Sequence, residues 1–369
     1  MTDWSSIVRP ALHSLEPYRP GAAVRELERR YGVSGIVKLN WNESLFDPLP
    51  GIAEALEQET INTWRYPEQA YADLKDVIAT LVGTTPERIV PGHGAQAMIG
   101  ALAAVFVEHG DRVVVPAPSY GLYAQVCAAH GAEIHTVPLA ANRLDLPALA
   151  ATATAYEARV VWVCDPNNPT GSLVGRREWE DFLDALPDRC AVIADEAYMD
   201  YVPPAERPGR ERDVEAGRPV VVIRSFSKLF GLAGLRLGFA IADPELAAYV
   251  DVLQEPFNVN RAALAAGTAC LADPRLAEER RAEVREAREL LVTLLQAGGV
   301  VATPSAANFV LFEVGVDDEA LTEGLVRRGL LIRAGSEFGM PRHVRITVGP
   351  VPLMERVARE LLDVRGGLS

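Results

Sequence analysis

The middle of the chain alternates short apolar runs with segments whose apolar residues recur at helical spacing. The runs VVV (113–115), VVWVC (160–164), AVIA (191–194) and VVVI (220–223) are continuous rather than alternating. Strands of this kind are covered on both faces, as in a parallel sheet flanked by helices. Strands are predicted at 88–90, 112–115, 133–137, 160–164, 191–194, 220–225 and 238–241, with helices between them at 74–82, 96–108, 121–130, 146–154 and 176–186. A further helical stretch precedes them at 22–31. Alternating strands and helices imply an α/β fold with a three-layer, mainly parallel sheet.

Past Asp243-Pro244 the texture changes. A region rich in Ala, Glu, Arg and Leu predicts helix to about residue 297. Strand-like pieces follow at 308–313, 330–333 and 343–348, with helices near 319–328 and 353–364. The expected organisation is an N-terminal arm over 1–35, a large domain over 36–255 and a smaller α+β domain over 256–369.

Composition narrows the function classes. Of 369 residues 49% are hydrophobic and 23% charged, which excludes disordered and fibrous proteins. The net charge of −14 denies the chain the broad positive field that phosphate backbones require, so neither nucleic acid nor an anionic membrane is an expected partner. No apolar run approaches the ~18 residues that span a bilayer. The start lacks a positive-then-apolar signal layout, so a cytoplasmic placement is expected. The four cysteines include no C-x-x-C pair and read as buried thiols, and the six histidines show no ligand spacing, so no metal site is expected.

Four local patterns carry candidate chemistry, each at the end of a predicted strand, where open α/β sheets bind ligands. In SFSK (225–228) Lys228 follows a buried run, where its amine can attack a carbonyl. Ser225, Ser227 and Arg236 offer donors to a phosphate; a lysine on a solvated loop is the plain alternative. In DEAY (195–198) Asp195 ends a buried run and needs a partner, such as a protonated pyridine nitrogen, with Tyr198 near the ring oxygen. A helix-capping aspartate beside a core tyrosine would look the same. In DPNNPTG (165–171) two prolines and a glycine stiffen a loop that presents Asn168. In GHGAQA (92–97) the amides of Ala95 and Gln96 open a helix and suit a phosphate. This string also fits the G-x-G-x-x-A dinucleotide pattern, with Asp111 as a ribose acid, but that leaves Lys228, Asp195 and Asn168 without a role.

Together these motifs resemble the fold type I pyridoxal-phosphate aminotransferases, and within them the histidinol-phosphate/aromatic aminotransferase family. Similar stretches are YRPG (18–21), KLNWNE (38–43), RYPE (65–68), PSYGLY (118–123), PFNVN (256–260) and VRITVG (344–349). The resemblance implies pyridoxal 5′-phosphate bound as a Schiff base to Lys228, which also shuttles the reacting proton. It implies Asp195 on the ring nitrogen, Asn168 and Tyr198 on the ring oxygen, and Tyr120 stacked on the ring. Ala95, Gln96, Ser225, Ser227 and Arg236 would hold the phosphate. Tyr66 would reach the cofactor of a partner subunit, making a homodimer with shared sites. The N-terminal arm would pack on the small domain or the partner. Arg345 and Arg333 would grip substrate anions, with Tyr18, Tyr123 and Asn42 also on the substrate side.

Three positions depart from the family pattern: Gln96 in the phosphate loop, Ser44-Leu45 after Asn42-Glu43, and Asp165 before Pro166. The implied reaction moves an amino group between histidinol phosphate or an aromatic amino acid and 2-oxoglutarate/glutamate. The same scaffold also supports decarboxylation (of the threonine-phosphate type), oxidation or elimination. A DNA-binding regulator that keeps such a domain only to sense a ligand is disfavoured by the net charge of −14.

Overall fold

A computed structural model describes residues 2–17, 23–68 and 70–368. Seven strands form the central sheet, in the order Ile89–Gly92, Gly238–Ile241, Val220–Ser225, Ala191–Asp195, Val160–Cys164, Arg112–Ala117, Glu133–Pro138. All neighbours pair in parallel except Gly238–Ile241, which is antiparallel to both of its own. Each of the seven predicted strands is present, within two residues of its expected ends.

The continuous apolar runs mark the sheet's centre. Val160–Cys164 and Val220–Ser225 are buried along their whole length, whereas the edge strand Glu133–Pro138 buries only Val137. Side chains alternate across the pleat: Val161 and Val163 join one core, while Val160, Trp162 and Cys164 join the other. Trp179 anchors the first core and Trp162 the second, both fully buried. Burying a side chain of valine size or larger contributes roughly 1.5–3 kcal/mol.

A second, four-stranded antiparallel sheet runs Arg333–Ala334, His343–Thr347, Phe309–Glu313, Val301–Ala302, with helices Pro274–Ala297 and Val351–Gly366 packed together beside it. Two expectations are corrected here. The region 244–297 is three helices, Pro244–Leu253, Arg261–Leu271 and Pro274–Ala297. Pro256 and Pro274 interrupt it, because proline lacks an amide hydrogen and disfavours helix in the residue before it. Asp243, Asn260 and Asp273 cap the three helices through their side chains. The expected strand 330–333 is two: Leu330–Leu331 pairs with Val37–Lys38, and Arg333–Ala334 with the strand His343–Thr347.

Contacts also cross the expected domain limits. Val37–Lys38 is tied to the C-terminal part, and Arg261–Leu271 packs on helices Ile52–Thr60 and Ala72–Val82. All four cysteines are buried, and among the described residues no helix is long and apolar enough to cross a membrane.

Candidate active site

The four motifs converge at one end of the central sheet. Asp195 is the last residue of its strand and is buried. Its Oδ2 accepts a hydrogen bond from Tyr123 Oη at 2.7 Å, and its Oδ1 accepts one from the Ala197 amide at 3.0 Å. Burial pushes its carboxyl above the usual carboxylate range, opposed by these two bonds and by Lys228.

Tyr123 corrects an expectation. It does not face a substrate: it is 1% exposed and stacks on Trp162 with centroids 4.9 Å apart. It is the second residue of helix Leu122–Ala129 and packs in the core on that face of the sheet. Tyr120, before that helix, stays at the rim, takes a 2.6 Å hydrogen bond from Gln96 Nε2 and meets Tyr123 edge-on.

Lys228 follows strand Val220–Ser225 and is half-buried. Its Nζ donates to the carbonyls of Asn42 at 3.0 Å and Trp41 at 3.3 Å, and lies 5.5 Å from the centre of the Tyr198 ring. Burial first, then Arg345, pulls the amine down from 10.5 to about 8, against the opposing pull of Glu43 and Asp195. A lysine titrating there is about one-tenth free amine at pH 7, far more than an ordinary lysine, and that is the form that attacks a carbonyl.

Asn42 is also corrected. Its backbone is left-handed, with φ 56°, and its side chain is buried. Its Nδ2 donates to Tyr198 Oη at 3.0 Å, and its Oδ1 accepts from Thr347 at 3.3 Å. The side chain is a strut between the two sheets, committed before any substrate arrives. Asn168 Oδ1 accepts from the Arg345 guanidinium, which also donates to the Asn40 carbonyl. Arg333 stands opposite Arg345 across the antiparallel pair and makes an ion pair with Glu337 at 2.9 Å.

The anion cradle is built from glycines and a helix start. Helix Gly94–Phe106 opens without a side-chain cap, so its first amides are available to an anion. Ser225 and Ser227 are buried beside it, the Ser227 amide donating to Ser225 Oγ at 3.1 Å. Arg236, in the left-handed region at φ 56°, donates to the Ala233 carbonyl at 2.9 Å and reaches Gln96 at 3.4 Å. A Cβ on Gly238 would stand 2.6 Å from the Ala95 nitrogen and 2.8 Å from the Gly94 carbonyl carbon. Gly238→Ala is therefore expected to push the cradle apart, costing about 1–3 kcal/mol of stability by overpacking. Chemical denaturation of the variant and an anion-affinity measurement check this.

Tyr66 is 77% exposed and stacks on Phe257 with centroids 4.7 Å apart. Tyr18 lies outside the described residues. Beneath the site lie supports that the motifs did not point to, Thr347 and a set of buried charges around Arg210 and Glu196, together with Tyr123, which was expected on the substrate side. A charge within or next to an apolar run, as in VVVIRS or AVIADE, is the signal that points to such groups.

A lysine and an aspartate at strand ends, facing a helix-start anion cradle on a mainly parallel sheet, define the architecture of fold type I pyridoxal-phosphate enzymes. Residues 34–361 match the family described as Aminotransferase class I and II, and the chain belongs to it. It is 38% identical over 345 residues to a histidinol-phosphate aminotransferase of Symbiobacterium thermophilum, covering 93% of this chain and 94% of that one. A histidinol-phosphate aminotransferase of Moorella thermoacetica is 34% identical, covering 96% and 92%. The crystal structure of histidinol-phosphate aminotransferase from Sinorhizobium meliloti, in complex with pyridoxal-5′-phosphate, superposes with a TM-score of 0.92 at 31% identity over 99% of both chains.

Proposed function

We propose that this chain uses pyridoxal 5′-phosphate to move an amino group between histidinol phosphate or an aromatic amino acid and 2-oxoglutarate/glutamate. The observation that carries the reading is geometric: Lys228 and Asp195 follow or end neighbouring strands of the sheet, beside an anion cradle. The names of relatives at 34–38% identity, histidinol-phosphate aminotransferases, support histidinol phosphate as one of the substrates.

The residues present suit the cofactor. Asp195 is a buried carboxylate with a hydrogen bond on each oxygen and lone pairs to spare for a ring N–H. The amides of Ala95 and Gln96, the hydroxyls of Ser225 and Ser227 and the Arg236 guanidinium together suit a phosphate dianion. Tyr198 and Asn168 are the donors for the ring oxygen, and Tyr120 offers its ring as a stacking face. When bound, pyridoxal phosphate supplies an aldehyde and a pyridinium electron sink for the pair left by a broken Cα–H bond. Lys228 would hold the cofactor through its aldehyde, and its Nζ would take up and return the reacting proton. Asp195 would hold the ring nitrogen in its protonated form. Arg345 and Arg333 stand opposite each other across the antiparallel pair, and their guanidinium groups would grip a substrate carboxylate or phosphate.

A homodimer is part of the proposal. Ile61, Trp64 and Tyr66 are largely exposed, as are Tyr249 and Val252, and the Tyr66–Phe257 stack joins the two segments. Apolar patches of this kind mark interfaces. Sedimentation should give twice 39.9 kDa, and Trp64→Glu should shift it toward the monomer.

Purified protein loaded with the cofactor should make 2-oxoglutarate from glutamate and pass the amino group to the keto partner of histidinol phosphate or of an aromatic amino acid. Carbon dioxide release or oxygen uptake without amino transfer would replace this reading with the decarboxylase or oxidase one. The amine near 8 also sets a pH dependence. Capture of the aldehyde by cofactor-free protein should quicken about tenfold from pH 7 to 9 and then level off. An unshifted lysine would still be gaining rate at pH 10.

A further inference from the structure

Beneath the site, on the sheet face away from Tyr123, runs a chain of buried charges. Cys164 and Asp195 point toward Tyr123, so by the pleat the adjoining Asp165, Glu196 and Arg224 point the other way. Arg210 meets them there. It donates to Asp165 Oδ2 at 2.6 Å and to Glu196 Oε1 at 2.8 Å, and its guanidinium lies 4.1 Å over the Trp179 ring. Arg224 pairs with Glu196 Oε2 at 2.8 Å and with Asp200 at 2.9 Å. Asp165 also accepts from the Val174 amide at 2.9 Å. Arg210 and Asp165 are 0% exposed, and Glu196 is 1%.

The chain Asp165–Arg210–Glu196–Arg224–Asp200 crosses the ends of three adjacent strands. Asp165 opens the loop that presents Asn168. Glu196 follows Asp195, and Arg224 precedes Ser225. Stability alone explains such a set poorly, since apolar residues of equal volume often serve a fold as well as a buried ion pair does. A planar fork, in contrast, fixes two carboxylates at a set spacing and angle.

We propose that Arg210 is a positioning residue: by clamping Asp165 and Glu196 it sets the spacing between the Asn168 loop and Asp195, so that the two ends of the cofactor ring are held at once. This rests on the pyridoxal-phosphate reading. Arg210 belongs to the opposite face and acts only through the two strand ends.

Arg210→Lys tests it, because an ammonium keeps the charge and loses the fork. Asp165→Asn is the milder variant and retains an acceptor for the Val174 amide. Arg218→Lys, at an exposed pair with Asp184, is the control. For each, calorimetry of the cofactor-free protein, the pyridoxal-phosphate dissociation constant and the pH midpoint of the bound cofactor's absorbance are measured. Arg210→Lys is expected to raise the dissociation constant by roughly tenfold or more and to move the midpoint, with the protein still folded, since misplacements near 1 Å carry effects of that order. Asp165→Asn should shift both in the same direction and by less, and Arg218→Lys neither. A lower melting temperature with wild-type affinity and midpoint overturns the proposal, as does no change at all. If Arg210→Lys does not fold, Asp165→Asn decides on the same criteria. Failure of the wild-type protein to bind pyridoxal phosphate would instead sink the functional reading.

Discussion

Lys228→Ala should lower amino transfer by about 10⁴-fold or more, because one amine both bonds the aldehyde and carries the proton between two carbons. The anion cradle is contributed by other residues, so the variant should still retain the cofactor noncovalently. Borohydride treatment followed by peptide mapping should label the segment around Lys228 in the wild-type protein and leave the variant unlabelled. Lys228→Arg should be as inactive, since a guanidinium stays protonated at any working pH and cannot attack a carbonyl. That comparison separates the need for a nucleophile from the need for a positive charge. Near wild-type single-turnover rates with glutamate in either variant would refute the assignment.

Asp195→Asn should cost about 10²–10³ in turnover, as the ring nitrogen loses the anion that keeps it protonated. The same substitution has an opposite effect on the cofactor-free fold. Burial raises the carboxyl's pKa above its ordinary value of 3.8. A raised acid favours the folded state while it is protonated, and that advantage is lost as pH rises through the folded pKa. Above the folded pKa the buried Asp195 carboxylate therefore weighs against folding, and Asn relieves it. Cofactor-free Asp195→Asn should melt no lower than wild type at pH 7, while binding pyridoxal phosphate more weakly. Tyr123→Phe should lie between, losing about tenfold, the equivalent of one buried hydrogen bond to a charged group. A stability drop without loss of turnover in Asp195→Asn would show that the residue serves the fold alone.

The residues proposed to hold the cofactor were legible in the chain because their signals are local. Lys228, Asp195 and Asn168 each follow a continuous apolar run, and a run of that kind places its last residue at the rim of a covered sheet. The struts were not. Asn42 meets Tyr198 across 156 positions of chain, and Arg345 meets Asn168 across 177.

Sequence by itself therefore determined the parallel sheet, its strands and the reactive groups at their ends, because periodicity and turn chemistry act over a few residues. Only the tertiary structure decided that Tyr123 faces inward to Asp195, that Asn42 braces Tyr198 and that Arg210 ties two strand ends together. Which partner a buried polar group finds depends on segments far away in the chain. The cost of leaving that group unpaired, which exists only once water has been excluded, then fixes the choice.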